Sequence, residues 1–421
     1  MANQPSISLT RALSVCSIGC VLVICLALSI VCHAQSVPND WAATAILPTP
    51  SGVTSMQWSK FDYSPSNVYS DEATQFWYMS SSNLVTSKTG VIHSPGAETA
   101  GAAGFMPDGS LRIAWLTQGM TSAGGVYSGD AIRIWSYTSA GVQTVAGPAY
   151  SPGTGWHSVG VNVLPDGTLR ATWLLPGTAN SIGVYGGDTL QVWSIGSDGQ
   201  ATSRGPNLFE GAGWRYGGVC AATDETMRLL WTAPSVAAGT EGRASVWSID
   251  STGQETDKGP ILFNAPYSNA GAGLGIAGDN TLRLAWLTSV PGSAQKLSIW
   301  SLDTQGKETV KGPAYAPPPG YDPGPMSVAS DGATWIKWLS VASPQAITLW
   351  SFDATGSVTS EGPVYSIGGK WTSFGPILST DSSVQLFWNL PPPAHSKTGE
   401  GKVWTFSTAG AIQVKGLEYH Y

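Results

Sequence analysis

Two interleaved tryptophan series, a recurring pair of turn signals and the lack of any sustained helical period predict an all-β chain, folded as a seven-bladed β-propeller of four-stranded antiparallel blades. The first series is Trp58, Trp115, Trp173, Trp231, Trp286, Trp338 and Trp388; the second is Trp77, Trp135, Trp193, Trp247, Trp300, Trp350 and Trp404. Successive members of either series stand 50–58 residues apart, so the chain is seven copies of one unit. One such unit cannot bury both of its apolar faces alone. Seven in a ring bury each sheet against its neighbours and protect most strand edges. A linear all-β array of the same units is the alternative.

Within a unit the elements follow in a fixed order. A strand such as SVGVNVLP, 158–165, reaches a turn at Asp166-Gly167 and returns as TLRATWLL, 168–175, which carries the first-series tryptophan. Asp lies seven residues before that tryptophan in six units, and Ser51 takes its place in the first. A connection of variable length leads to a third strand such as TLQVWSI, 189–195, with the second-series tryptophan. A second turn follows, with Gly six residues after the tryptophan in six units and Asn83 in the other. Gly and Asn tolerate the left-handed backbone that tight hairpins need. The fourth strand, such as QATSRGP, 200–206, ends the unit, and the Val, Ile, Thr and Trp content of all four is a β signal. The repeats leave open whether the ring closes as a butt joint or through a shared blade.

Residues 1–34 are expected to be a secretory signal peptide, with 35–421 as the single propeller domain. Arg11 is the only charged residue of that leader, an apolar run ends at Val31, and small residues precede a cut after Ala34. A retained membrane anchor is the alternative, because the apolar stretch approaches the ~20 residues that span a bilayer. Either way the domain is expected outside the cytoplasm: secreted, periplasmic or at the cell surface. Four cysteines leave with the leader, and Cys220, in an apolar run, is expected to be an inert core residue without a disulfide partner.

The formal net charge is −7, with no basic groove in the sequence, which argues against nucleic acid as a partner. Up-and-down strands place both tight turns of every blade on one face and the two other connections on the opposite face. Sequence variety is confined to the second set. The two tryptophans of a unit are 19 or 20 residues apart in units one to three and 12–16 apart in units four to seven, so the long loops cluster on three neighbouring blades. The other connection leads into an aromatic residue 17 before the next first-series tryptophan, occupied by Trp41, Trp156, Trp214, Tyr321 and Trp371, while Glu98 and Asn269 depart from the rule.

Flat aromatics among hydroxyls and amides suit the C–H faces of sugar rings. At the ends of the three long loops the pairs Tyr69 with Glu72, Tyr127 with Asp130 and Tyr185 with Asp188 recur at equal spacing. A functional reading makes each a ring platform beside a carboxylate acceptor for hydroxyls. A structural reading makes each a turn that starts a strand, with a tyrosine packed on the next blade. Arg112, Arg170, Arg228 and Arg283, three before a first-series tryptophan, are expected to pair with hairpin aspartates or to stack on aromatics between blades; a ring around the central channel that attracts an anion is the alternative.

Catalysis finds little support. His93, His157, His395 and His420 have no metal-ligand spacing, and no nucleophile elbow, phosphate loop or calcium loop is present. A carboxylate pair for glycoside cleavage is conceivable on the loops, but three equivalent copies suit repeated binding better than one reaction centre. No cofactor and no metal is expected. The unit DGTLRATW…VWSI…GP…GW resembles the Trp-rich repeats of exported bacterial β-propeller proteins and, more distantly, tectonin and tachylectin-type lectin propellers, over nearly the whole chain after the leader. That resemblance implies the fold and a lectin-like role, and transfers no sugar-site signature. The expected function is therefore a secreted, non-enzymatic, multivalent carbohydrate-binding propeller acting on a glycan or cell-surface polysaccharide. The alternative is a scaffold or adhesin that grips a protein partner on the long-loop face, and a membrane is a partner only if the leader is retained.

Overall fold

The computed structural model describes residues 41–420, apart from 50–53, 64–68, 165, 182–183, 234–241, 265–271, 289–295, 341–345, 367, 369–370, 379–382, 391–399 and 418. The expected leader and the expected cut after Ala34 lie outside the described residues. The chain forms seven antiparallel sheets, each from four consecutive strands in sequence order, and no helix occurs among the described residues. Blade 1 comprises Trp41–Pro48, Thr54–Tyr63, Tyr69–Met79 and Val85–Lys88. Blade 3 comprises His157–Val163, Leu169–Leu175, Thr189–Ile195 and Ala201–Arg204, close to the strands its sequence indicates. Blades 1, 4 and 7 add a short fifth strand that pairs with the third.

The first strand of each blade is innermost and the fourth outermost. Outer strands such as Glu255–Lys258 are largely exposed, whereas second strands such as Leu111–Thr117 are buried over five successive residues. That run is apolar on both faces because another blade packs on each side. First-series tryptophans are buried at the centre of each sheet, and six of them meet the second-series tryptophan of their own blade at ring-centroid distances of 4.9–5.6 Å. In blade 2 the indole N–H of Trp115 donates instead to the Tyr137 hydroxyl at 3.2 Å.

Neighbouring blades are joined by a glycine contact that accounts for two sequence features at once. The Gly of the Gly-Pro pair ending an outer strand lies against the tight-turn Gly of the next blade. A Cβ on Gly253, whose φ is +84°, would stand 2.1 Å from the Val192 carbonyl oxygen and 2.8 Å from Gly205 Cα. Only glycine fits such an approach at that φ. The Ser after the second-series tryptophan adds a hydrogen bond across the same seam, from Ser194 to the Ser251 carbonyl and from Ser301 to the Ala354 carbonyl.

The ring closes as a butt joint. Blade 1 takes all its strands from the start of the described chain and blade 7 all of its own from the end. Met56, Trp58, Trp77 and Met79 of blade 1 form one core with Ile377, Phe387, Val403 and Tyr419 of blade 7. Asn83, the exception in the glycine series, sits at this seam with φ +58°. Its amide donates to the Val403 carbonyl at 3.2 Å and the Thr405 hydroxyl at 3.0 Å, and Gly416 lies against it. Asn here keeps the left-handed turn and adds a side chain that bonds across the closure. Thr54 and Gln385 hydrogen-bond across the same joint.

Candidate ligand-binding face

The long connections of blades 2 and 3 fold back as small hairpins. In blade 2 Thr121 bridges Tyr127 and the turn closes through Ser122 N–H to the Val126 carbonyl, 2.9 Å; in blade 3 Ala179 bridges Tyr185. Each hairpin ends at its tyrosine and carboxylate, and the structure brings these together as a closed latch. The Tyr127 hydroxyl donates to Asp130 Oδ1, which also accepts the Gly119 N–H at 2.8 Å, while Asp130 Oδ2 accepts the Ser158 N–H of blade 3 at 2.8 Å. Blade 3 repeats the arrangement. Tyr185 and Gly177 N–H (3.0 Å) donate to Asp188 Oδ1, and the Tyr216 N–H of blade 4 donates to Oδ2 at 2.8 Å. Asp130 and Asp188 are 4% and 6% exposed. Their oxygens therefore hold a loop to its own blade and to the first strand of the next.

Glu72 fills the same position in blade 1. Its Oε2 accepts the Ala100 N–H of blade 2 at 2.7 Å, and it is 1% exposed. Burial pushes its carboxyl up to about 7, against the opposing hydrogen bonds from Ser59 and Ala100, with the nearby Asp71 charge adding to the rise. Tyr69 opens the third strand of blade 1, where its backbone pairs with Tyr63, and its side chain lies outside the described residues. Burial, and then the hydrogen bond to Asp188, push the Tyr185 hydroxyl up to about 12; Tyr127 is raised for the same reasons in the same order. A Tyr that stays protonated remains a donor to its Asp.

The tryptophans expected as ring platforms are mostly interior. Trp156, Trp214 and Trp371 are buried members of blade cores, while Trp41 and Tyr321 are half-buried at core edges. Cations of the same blade cover two of them: Arg243 lies 5.3 Å over Trp214 and Lys402 4.5 Å over Trp371. Glu98, the departure from the aromatic rule, replaces this contact by an ion pair with Arg133 at 3.0 Å and a bond from the Thr117 hydroxyl at 3.0 Å. In blades 2, 3, 4 and 7 a buried flat ring or a paired charge at the top of the sheet does the same work of sealing the blade, while Asn269 of blade 5 lies outside the described residues. The hairpin tyrosines are half-buried: Tyr127 stacks on His157 at 4.2 Å, and Arg215 lies 4.8 Å over Tyr185.

Exposed apolar side chains project from the two hairpins and the loop beside them, and were not singled out in the sequence. Met120 and Val126 on the blade 2 hairpin are 79% and 56% exposed; Val184 on the blade 3 hairpin and Phe209 beside it are 48% and 47% exposed. The available signal was an absence, because residues 118–129 and 176–187 contain no charged side chain. A second missed pattern is a Lys or Arg eleven residues after the second-series tryptophan. Lys88, Arg204, Lys258, Lys311 and Lys415 lie 3.4–5.3 Å over Trp77, Trp193, Trp247, Trp300 and Trp404 across the third and outer strands. These cations shield the tryptophan edge and keep the outer strand charged, which discourages edge-to-edge pairing.

On the tight-turn face two of the four arginines act between blades and two within their own. Arg228 pairs with Asp224 at 3.3 Å, as expected of the group. Arg112 donates to the Ser197 carbonyl of blade 3 at 2.7 Å and Arg283 to the Gly332 carbonyl of blade 6 at 3.0 Å, while Arg170 bonds its own strand start through Thr168. Cys220 is buried, with its thiol directed at the Leu274 carbonyl. Among the described residues no group of three or more His, Cys, Asp or Glu is placed to hold a metal, and no helix is long and apolar enough to cross a membrane.

Neither a protein-family model nor a curated protein matches the chain. Among solved structures it is similar to the β-propeller domain of the Trilobed protease from Pyrococcus furiosus, with 11% identity, 91% of this chain and 96% of that chain covered, and a TM-score of 0.46. Prolyl oligopeptidase B from Galerina marginata gives 10% identity, 90% and 51% coverage and a TM-score of 0.48. The periplasmic gluconolactonase PpgL of Pseudomonas aeruginosa gives 12%, 72% and 95%, and 0.39. At these identities no activity is carried across.

Proposed function

We propose that this is an exported, non-enzymatic binding propeller that seats its long-loop face on a broad partner surface. The observation that carries the reading is the pair of uncharged hairpins on adjacent blades, with Met120 and Val126 exposed on one and Val184 exposed on the other, where Phe209 lies near Gly187. Exposed apolar groups grouped on one face mark interaction surfaces, and hot spots favour such rigidly held anchors. Asp130, Asp188 and Glu72 on this face accept backbone N–H groups of the next blade, which supports a structural role for them over an acid, base or nucleophile role. Multivalent glycan binding is the second reading. It is favoured by the recurrence of a half-buried tyrosine under a polar ring or cation, Tyr127 with His157 and Tyr185 with Arg215, at equivalent places on two blades.

The test is binding of labelled protein to cell-envelope fragments and, in parallel, to a glycan array. Docking predicts that Met120→Asp with Val184→Asp abolishes envelope binding while Val142→Asp, at a residue 63% exposed on the opposite face, leaves it intact. Array binding lost in Tyr127→Ala with Tyr185→Ala would replace docking by the glycan reading. Envelope binding indifferent to all of these substitutions would move the functional surface off the long-loop face.

A further inference from the structure

Charge divides the disc into two unlike faces. Among the described residues the tight turns carry ten carboxylates, Asp108, Asp166, Asp198, Asp224, Asp250 and Asp279 among them, against one lysine, Lys307. Arg112, Arg170, Arg228 and Arg283 beneath those turns are buried, so the surface itself stays acidic. The two long hairpins opposite hold no charge at all. An acidic face is repelled by an anionic surface, and uncharged, apolar-tipped hairpins meet it without that penalty or a cost of desolvating ions.

The path of the chain points the same way. The innermost strand of blade 1, Trp41–Pro48, pairs antiparallel with Thr54–Tyr63, Pro48 opposite Thr54 and Trp41 opposite Lys60, so the chain enters the propeller on the long-loop side, between blades 7 and 2. Residues 12–32 form an uncharged stretch of 21, long enough to span a bilayer. Eight residues, 33–40, separate it from Trp41, and eight extended residues reach at most about 30 Å. A chain held in a bilayer by 12–32 therefore carries its long-loop face close to that bilayer, at a high effective concentration.

We infer that the long-loop face is membrane-apposed: while the leader spans the bilayer, the hairpins of blades 2 and 3 rest the side chains of Met120, Val126, Val184 and Phe209 on the lipid surface, with the acidic turns pointing away. This rests on the docking reading above and names lipid as the surface docked. The contact is apolar and interfacial, without a basic patch, so it needs no anionic lipid and is insensitive to salt.

All strands of the seven sheets and both sides of the closing joint lie between Trp41 and His420, so residues 35–421 hold the complete ring and serve as the soluble reference. Amide hydrogen exchange is compared between that reference and the full chain in phosphatidylcholine vesicles. Exchange at 120–128 and 178–186 is expected to slow by about fivefold or more on vesicles, with 138–142 on the opposite face unchanged. Met120→Asp with Val184→Asp is expected to remove the slowing while the chain stays in the vesicles. Equal exchange in both states, slowing on both faces, or slowing that survives the double substitution would overturn the inference. If vesicles give no slowing while the same variant still loses envelope binding, the docking reading stands with a protein or glycan as its partner, and the lipid contact falls.

Discussion

Glu72 makes the seam between blades 1 and 2 sensitive to pH in a direction the structure defines. Its carboxyl is held up to about 7 by burial, whereas the unfolded chain titrates it near 4.5. Between those values the folded protein binds a proton that the unfolded chain has lost. Stability therefore declines as pH rises through this window, is greatest for this group below about 4.5 and is fully diminished above about 7. A displacement of about 2.5 units at 1.36 kcal/mol each amounts to about 3 kcal/mol. Glu72→Gln removes the titration yet keeps an amide oxygen for the Ala100 N–H. Urea unfolding of both proteins at closely spaced pH from 4 to 8.5 isolates the group, because every other titration cancels in the difference. The Gln variant is expected to gain on the native chain by about 3 kcal/mol between the ends of the series, with most of the change between pH 4.5 and 7. Parallel stability curves, or a difference that grows towards acid, would refute the argument that desolvation dominates at this seam.

Other substitutions test the latches and the seams. Asp130→Ala leaves the Gly119 and Ser158 N–H groups without their carboxylate and should cost about 2–4 kcal/mol in denaturant unfolding, with Asp130→Asn costing less; a loss under about 0.5 kcal/mol would return this carboxylate to candidacy as a ligand acceptor. Gly253→Ala meets the Val192 carbonyl and needs a left-handed backbone, so it should destabilise by about 2 kcal/mol or more and lower the melting temperature by several degrees. Asn83→Gly retains the turn but loses both amide bonds across the closure. It should cost about 1–2 kcal/mol, and hydrogen exchange should report the loss first at blades 7 and 1.

The strand order, the number of blades and the division into a tight-turn face and a long-loop face followed from the sequence alone. They rest on local chemistry repeated seven times: Asp-Gly and Gly turns, β-branched strands and paired tryptophans, each a short-range preference that every copy restates. The exceptions to those repeats had no interpretation until distant residues met. Asn83 departs from glycine because the ring closes there against Val403 and Thr405, and Glu98 departs from an aromatic because Arg133 stands over it. The same holds for the tyrosine and carboxylate pairs, whose spacing was legible but whose partners, Ser158, Tyr216 and Ala100, belong to the next blade. A carboxylate open to a ligand and one locked to a neighbouring strand have the same sequence signature. Only packing between blades decides which donors reach it, and here that packing buries the carboxylates and three of the tryptophans while leaving Met120, Val126, Val184 and Phe209 at the surface.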